Sequence, residues 1–173
     1  QIAENGLWTQ PGVFSWDRID TGSAFLLTHL PAFSGQGADL GCGIGVLARA
    51  VLESPSVTSL LLIDIDRRAV EMAKKNIDDS RAHFRWADMR MSELPAHDLD
   101  FIVMNPPFHD TGVEDKTLGQ NFITRAASML KKGGQLWFVG NRHLPYEALL
   151  KQHFTQRELV AETDLYKIFK VIK

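Results

Sequence analysis

The sequence predicts an α/β fold, a doubly wound and mainly parallel sheet with helices on both faces, and three observations carry that reading. Apolar runs of strand length, Thr58 to Ile65, Leu99 to Met104 and Gln135 to Val139, alternate with stretches whose apolar residues recur at helical spacing. A glycine-rich turn, DLGCGIG from Asp39 to Gly45, joins the first strand to an amphipathic helix. An acid, Asp64, ends the next apolar run 19 residues beyond Gly45, the place at which such folds present a carboxylate to a ligand.

With 173 residues and 45% hydrophobic content, the chain is long enough for one domain with a full core. The expected division is a lead-in and first helix over residues 1–35 and a sheet core over 36–173. A net charge of −2 gives no overall basic footprint, so any nucleic-acid contact must come from a local patch or from another part of a longer protein. Cys42 is the single cysteine, which excludes an intrachain disulfide and a multi-cysteine metal site and fits a reducing compartment. No apolar run reaches membrane-spanning length and no signal-peptide pattern opens the chain, so the expectation is a cytoplasmic protein. The chain begins with Gln, which suggests a trimmed start.

The opening segment to about Asp20 lacks clear periodicity and reads as an aromatic-rich lead-in, with Trp8 and Trp16 packed on the core. Ser23 to Leu30 has Ala24, Leu27 and Leu30 at helical spacing and stops at Pro31; the polar turn Ser34 to Gly37 leads into the first strand. After the glycine turn, Ile44, Leu47, Ala48 and Val51 mark a helix, and Pro55 breaks the chain before the strand Thr58 to Ile65. Asp66 is placed to cap the next helix, whose Val70, Ala73 and Ile77 face inward while Arg67, Arg68, Lys74 and Lys75 stay in solvent. His83 to Ala87 alternates as a third strand, ending at Asp88, which contacts a ligand or caps a turn. Leu99 to Met104 is a fourth strand that must leave the sheet at Asn105-Pro106-Pro107-Phe108, since proline cannot continue a central ladder. A helix over Leu118 to Lys131 stops at Gly133, the strand Gln135 to Val139 follows, Pro145 opens another helix, and Arg157 to Lys173 forms a hairpin.

Gly41, Gly43 and Gly45 remove side chains where the backbone turns tightly and let a ligand approach. The dinucleotide pattern Gly-x-Gly-x-x-Gly is not met, because the third glycine comes one residue early and position 46 is Val. Asp39, ahead of the first glycine, suits an ammonium-bearing ligand better than a pyrophosphate, and Cys42 reads as a small residue of the turn. A purely structural turn is the alternative. At NPPF, the Asn105 side-chain oxygen and the Pro106 carbonyl can both accept hydrogens from one amino group and turn its lone pair toward an electrophile. Pro107 stiffens the loop and Phe108 offers a stacking face; a Pro-Pro turn that merely stops a strand is the alternative.

DLGCGIG with Asp64 and NPPF resembles the class I methyltransferases that use S-adenosylmethionine. NPPFHD, preceded by PGVFS and followed by NRHLPY, resembles a narrower group, the ribosomal RNA guanine-N2 methyltransferases of the small-subunit type. The resemblance runs from about Pro11 to the C-terminus. It implies a seven-stranded sheet with an antiparallel last strand, and S-adenosylmethionine as cofactor, with no metal. By motif position, Asp39, Gly41, Cys42, Gly43 and Gly45 would surround its methionine part, Asp64 its ribose, and Ile65 and Asp88 its adenine. Phe14, Asp20 and Gly22 would help close that pocket, and Asn105, Pro106, Pro107 and Phe108 would hold the guanine amino group. His109 and Asp110 lie nearby, but solvent can take the proton. The implied partner is ribosomal RNA or a ribosomal subunit, with Arg142 and His143 either meeting phosphates or serving as ordinary loop residues. Such proteins often carry a degenerate N-terminal half, absent from this sequence. The rivals are methylation of a protein glutamine or an adenine, a non-catalytic RNA-binding module, and a nicotinamide oxidoreductase, which Val46 disfavours.

Overall fold

A computed structural model describes residues 6–90, 93, 95–106, 113–143 and 145–173, with the side chains of 113–116 left aside. In chain order the elements are α1 (Thr21–Leu27), β1 (Gly35–Leu40), α2 (Val46–Leu52), β2 (Val57–Asp64), α3 (Arg67–Asn76), β3 (Ala82–Trp86), β4 (Leu99–Met104), α4 (Val113–Met129), β5 (Leu130–Asn141), α5 (Glu147–His153), β6 (Gln156–Glu162) and β7 (Tyr166–Ile172). The seven strands form one sheet in the order β3-β2-β1-β4-β5-β7-β6. The first five are parallel, and β7 runs antiparallel between β5 and β6. The predicted fold class is therefore the observed one, with the antiparallel strand inserted inside the hairpin edge.

The chain walks outward from β1 to β3 and then crosses to β4 on the other side of β1, so the strand order reverses between β1 and β4. At such a switch point the connections leave in opposite directions and open a crevice beyond the strands' carboxyl ends. The β1 end leads into the glycine turn and the β4 end into Asn105.

Both faces of the sheet are covered, which is why its parallel strands read as continuous apolar runs. Ala38, Leu40, Ile102 and Met104 pack under Phe122, Ile123 and Ala126 of α4 and Leu150 of α5. Leu60, Leu62, Phe101 and Val103 pack under Leu26 of α1, Leu47 and Val51 of α2, and Ala73 of α3. Each fully buried Leu or Ile on these faces contributes about 1.5–3 kcal/mol. Gly37 is required by close approach: a β-carbon there would lie 2.2 Å from the Phe101 ring. That ring stacks on Phe33 with centroids 4.4 Å apart.

Several local expectations hold and several shift. The Asp66 side chain accepts from the Arg68 amide and caps α3 as expected. The helix α1 begins at Thr21 and ends at Leu27, because the His29 amide bonds to the Leu26 carbonyl in a tighter last turn. Pro145 lies outside α5, whose N-cap is Tyr146. Gly133 does not stop a helix that reaches Lys131: α4 ends at Met129, and Leu130 already pairs with Leu99. Gly133 and Gly134 instead meet the C-terminal Lys173 through backbone bonds of 2.9 and 3.0 Å.

The lead-in reverses the expectation for its tryptophans. Leu7 and Val13 are buried against Ile44, Ala69 and Met72, while Trp8 and Trp16 are 41% and 37% exposed. Asn76 clamps the Trp8 backbone from both sides, donating to its carbonyl at 2.9 Å and accepting from its amide at 2.6 Å. This extended clamp turns Leu7 inward and leaves the Trp8 ring outside, under Lys75 at 5.0 Å.

Candidate active site

The turn after β1 is built almost entirely from main-chain bonds. Gly41, Gly43 and Gly45 take φ of 74°, 53° and 92°. The Gly41 and Cys42 amides both donate to the Ile63 carbonyl at 2.9 Å, which ties the turn to the end of β2. The Gly43 amide donates to Asp64 Oδ2 at 2.8 Å, and the Asp66 amide donates to Asp64 Oδ1 at the same distance. Asp64 thus links the turn to the start of α3 while each oxygen keeps a lone pair. Burial pushes its carboxyl up, and the Asp66 and Gly43 amides pull it back. Gly45 closes the turn, where a β-carbon would stand 2.8 Å from Ile77 Cδ1.

Asp39 lies beneath this turn, fully buried, with neither carboxylate oxygen hydrogen-bonded. Burial, and then the Asp64 charge, raise its pKa from 3.8 to about 8. The Ala48 amide in α2 pulls the other way, from outside hydrogen-bonding geometry.

A cleft of about 510 Å³ opens over the carboxyl edge. Of the residues singled out in the sequence, Phe14, Asp20, Gly41, Gly43, Asp64, Ile65, Asp88, Asn105 and Pro106 line it together. Gly22, Asp39, Cys42 and Gly45 do not. Cys42 borders an adjoining hollow of about 40 Å³ behind the turn, Asp39 sits a layer below, Gly45 faces Ile77, and Gly22 is buried in α1. Pro107, Phe108, His109 and Asp110 lie outside the described residues. Ile65 and Phe14 are each 58% exposed and form apolar surfaces at the cleft.

On the β4 side, Asn105 Nδ2 donates to Asp20 Oδ2 at 2.7 Å and to Ser23 Oγ at 2.9 Å. Asp88 accepts from both the backbone amide and the guanidinium of Arg90, which hold its carboxyl below the usual range. Asp88 is therefore both a turn residue and a wall residue. Arg142 is engaged by the hairpin, donating to the Thr163 carbonyl at 2.9 Å, while its neighbour His143 is exposed.

Sequence reasoning missed Leu118 and Phe122 of α4, Met89 and Arg90 beyond β3, and Gly140, Asn141 and Tyr166 at the β5–β7 end. Asn141 and Tyr166 are register partners. Because β7 is antiparallel, its first residue stands at the same edge as the last residues of the parallel strands. That rule, applied to the tail, is the signal that could have found Tyr166.

The arrangement can hold an elongated ligand with a hydroxylated middle at Asp64, a flat apolar end near Ile65, and a cationic end at the turn. It also presents a side-chain amide to a second molecule from the β4 side. Among the described residues no group of three or more His, Cys, Asp or Glu side chains is placed to hold a metal ion, and no helix is long and apolar enough to cross a membrane.

The methyltransferase small domain family matches residues 4–170. A ribosomal RNA small subunit methyltransferase C of Shewanella baltica is 37% identical over 161 residues, covering 91% of this chain and 46% of that protein. A ribosomal RNA large subunit methyltransferase G of Streptomyces avermitilis is 36% identical over 167 residues, covering 94% and 44%. The chain thus spans about half the length of these curated relatives. Among solved structures, a T. thermophilus 16S rRNA guanine-N2 methyltransferase in complex with AdoMet and guanosine superposes with a TM-score of 0.82 at 28% identity, over 95% of this chain and 46% of that one.

Proposed function

Because the chain belongs to the methyltransferase small domain family, we propose that it transfers a methyl group from S-adenosylmethionine to the exocyclic amino group of a guanine in ribosomal RNA. The observation that carries the reading is the convergence of the glycine turn and Asn105 on one cleft at the strand-order reversal. We read residues 1–173 as one methyltransferase domain, and a ribosomal substrate implies a cytoplasmic protein.

The residues present fit the cofactor. Asp64 keeps lone pairs for ribose hydroxyls, and a planar ring can lie on Ile65 beside Asp88 and Met89. Gly43 leaves open space where a side chain would otherwise stand. Beneath the turn, the unpartnered Asp39 carboxyl holds a proton that a positive charge at the methionine end would favour releasing. Phe14 closes the cleft from the lead-in. When bound, S-adenosylmethionine supplies an electrophilic methyl group on a sulfonium.

A guanine amine is a poor nucleophile because its lone pair is delocalised into the ring. Asn105 Oδ1 and the Pro106 carbonyl accept its two N–H bonds and turn the lone pair out of the ring plane. Pro107 keeps the second acceptor still, and Phe108 stacks on the base, which must leave its helix to reach the cleft. With the amine held in this way, its lone pair would face the methyl group that S-adenosylmethionine would supply, and the amine proton would pass to solvent. The chain's contribution is orientation and charge placement, with no base required.

The test is labelled-methyl transfer from S-adenosylmethionine to isolated small and large ribosomal subunits and their naked RNA, followed by nucleoside analysis. N2-methylguanosine as the labelled product supports the proposal. A methylated adenosine, label in a protein side chain, or no transfer overturns it.

A further inference from the structure

Asn105 can present either its oxygen or its NH2 group to the cleft, and the two faces select opposite chemistries. The neighbouring helix decides between them. Asp20 Oδ2 accepts the Ser23 amide at 2.9 Å, capping α1, and the same oxygen accepts Asn105 Nδ2 at 2.7 Å. The second Asn105 N–H goes to Ser23 Oγ at 2.9 Å. Both donors of the amide are thereby consumed against α1, and the oxygen is what remains for the cleft. Flipping the amide would set its oxygen against a carboxylate oxygen, two acceptors at hydrogen-bonding distance. Ser23, whose hydroxyl both donates and accepts, would tolerate either face, so the choice rests on Asp20.

The contact spans 85 residues of sequence, and the surroundings are shaped to permit it. A β-carbon at position 22 would stand 3.1 Å from Asp20 Oδ2, 3.2 Å from the Tyr166 ring and 3.6 Å from Asn105 Nδ2, so Gly22 leaves the pair room to meet. Thr21 Oγ1 is hydrogen-bonded to the Tyr166 hydroxyl at 2.7 Å, which pins the start of α1 to β7.

We infer that Asp20 is a positioning residue: through α1 it fixes the Asn105 amide with Oδ1 toward the acceptor, so that the site takes groups carrying N–H and rejects carbonyl oxygens. This differs from a role in closing the cofactor pocket. Only the kinetic consequence rests on the methyl-transfer reading; the locked amide does not.

The experiment uses Asp20→Ser, which keeps a good helix cap but is too short to hold Asn105, and Asp20→Asn, which keeps cap and reach but no longer forbids the flipped amide. The first readout is the Asn105 side-chain NH2 pair in a 15N-labelled protein, assigned by its disappearance in Asn105→Ala. The wild type shows that pair protected from exchange, and Asp20→Ser loses the protection. The second readout is kinetic: kcat falls by about 10- to 100-fold in Asp20→Ser, as misplacement of a reacting group costs. Asp20→Asn lies between Asp20→Ser and the wild type. Calorimetry gives S-adenosylhomocysteine affinity within about threefold for all three proteins, and Tm stays within about 2 °C because the cap is kept. An unprotected pair in the wild type overturns the inference, and so does an unchanged kcat in Asp20→Ser. Loss of cofactor affinity equal to the loss of kcat overturns it too, returning Asp20 to the cofactor pocket. A protected pair in a wild type that methylates no RNA refutes the proposed function and leaves the lock standing.

Discussion

Replacing Asp39 by Asn tests the electrostatics under the glycine turn through the pH dependence of stability. In the folded protein, burial and the Asp64 charge hold the Asp39 pKa at about 8 instead of 3.8. Between those values the native state keeps a proton that the unfolded chain has released. Stability therefore falls as pH rises, with a slope that approaches about 1.4 kcal/mol per pH unit. The loss is absent below the unfolded pKa, complete above the folded one, and about 5–6 kcal/mol in all by the same linkage. An amide does not titrate, so Asp39→Asn removes this slope. Asp64, also raised, contributes a slope of the same sign to both proteins, and because Asp39 is neutral in the fold below about pH 8, the substitution does not relieve Asp64 there. Burying an unpartnered amide adds an offset of about 1–3 kcal/mol that is constant with pH. The assay is urea unfolding of both proteins at steps between about pH 5 and pH 8, compared through the difference in stability. That difference should grow steadily in favour of Asp39→Asn as pH rises. Parallel curves would show that Asp39 is not a buried, costly acid and would remove the reason given for its place below the turn.

Three further outcomes follow from the same geometry. Asp64→Ala should weaken S-adenosylhomocysteine binding by about 1–3 kcal/mol in calorimetry, the range for losing hydrogen bonds to a charged acceptor; unchanged affinity would remove its ribose role. Gly37→Ala should destabilise the domain by about 1–3 kcal/mol through overpacking against Phe101, read by urea unfolding. If Phe101→Leu in that background fails to recover part of the loss, the contact is not its cause. Gly45→Ala should cost about 1–2 kcal/mol because its backbone is left-handed, and Ile77→Val should not restore that part, since strain of this kind lies in the main chain.

What was legible in the sequence was local. A cap such as Asp66, a glycine turn between strand and helix, and a strand that stops at Met104 ahead of Asn105 and Pro106 each carry their cause within a few residues, and all stand where expected. The lead-in was misread because the side of Leu7 and Trp8 is set by Asn76, 68 residues away from Trp8. The start of β5 was misread because Lys131 and its glycines follow a ladder made with Leu99 and the C-terminus, which outweighs the stop signal in Gly133. At the site, Asp64 and Asn105 could be named from the chain, but which way Asn105 faces depends on Asp20, and the Tyr166 wall depends on a strand inserted out of order. Pairings of this kind leave no periodicity to read.

The proposed reaction requires the glycine turn to hold the donor and Asn105 the acceptor, across one cleft. The most direct measurement is a crystal structure with S-adenosylhomocysteine and guanosine bound together. The sulfur should lie against the Gly41–Gly43 turn, the ribose hydroxyls on Asp64, and the guanosine exocyclic nitrogen within hydrogen-bonding distance of Asn105 Oδ1, facing the sulfur. Guanosine bound away from Asn105, or the adenosine part lying away from Asp64, would contradict it.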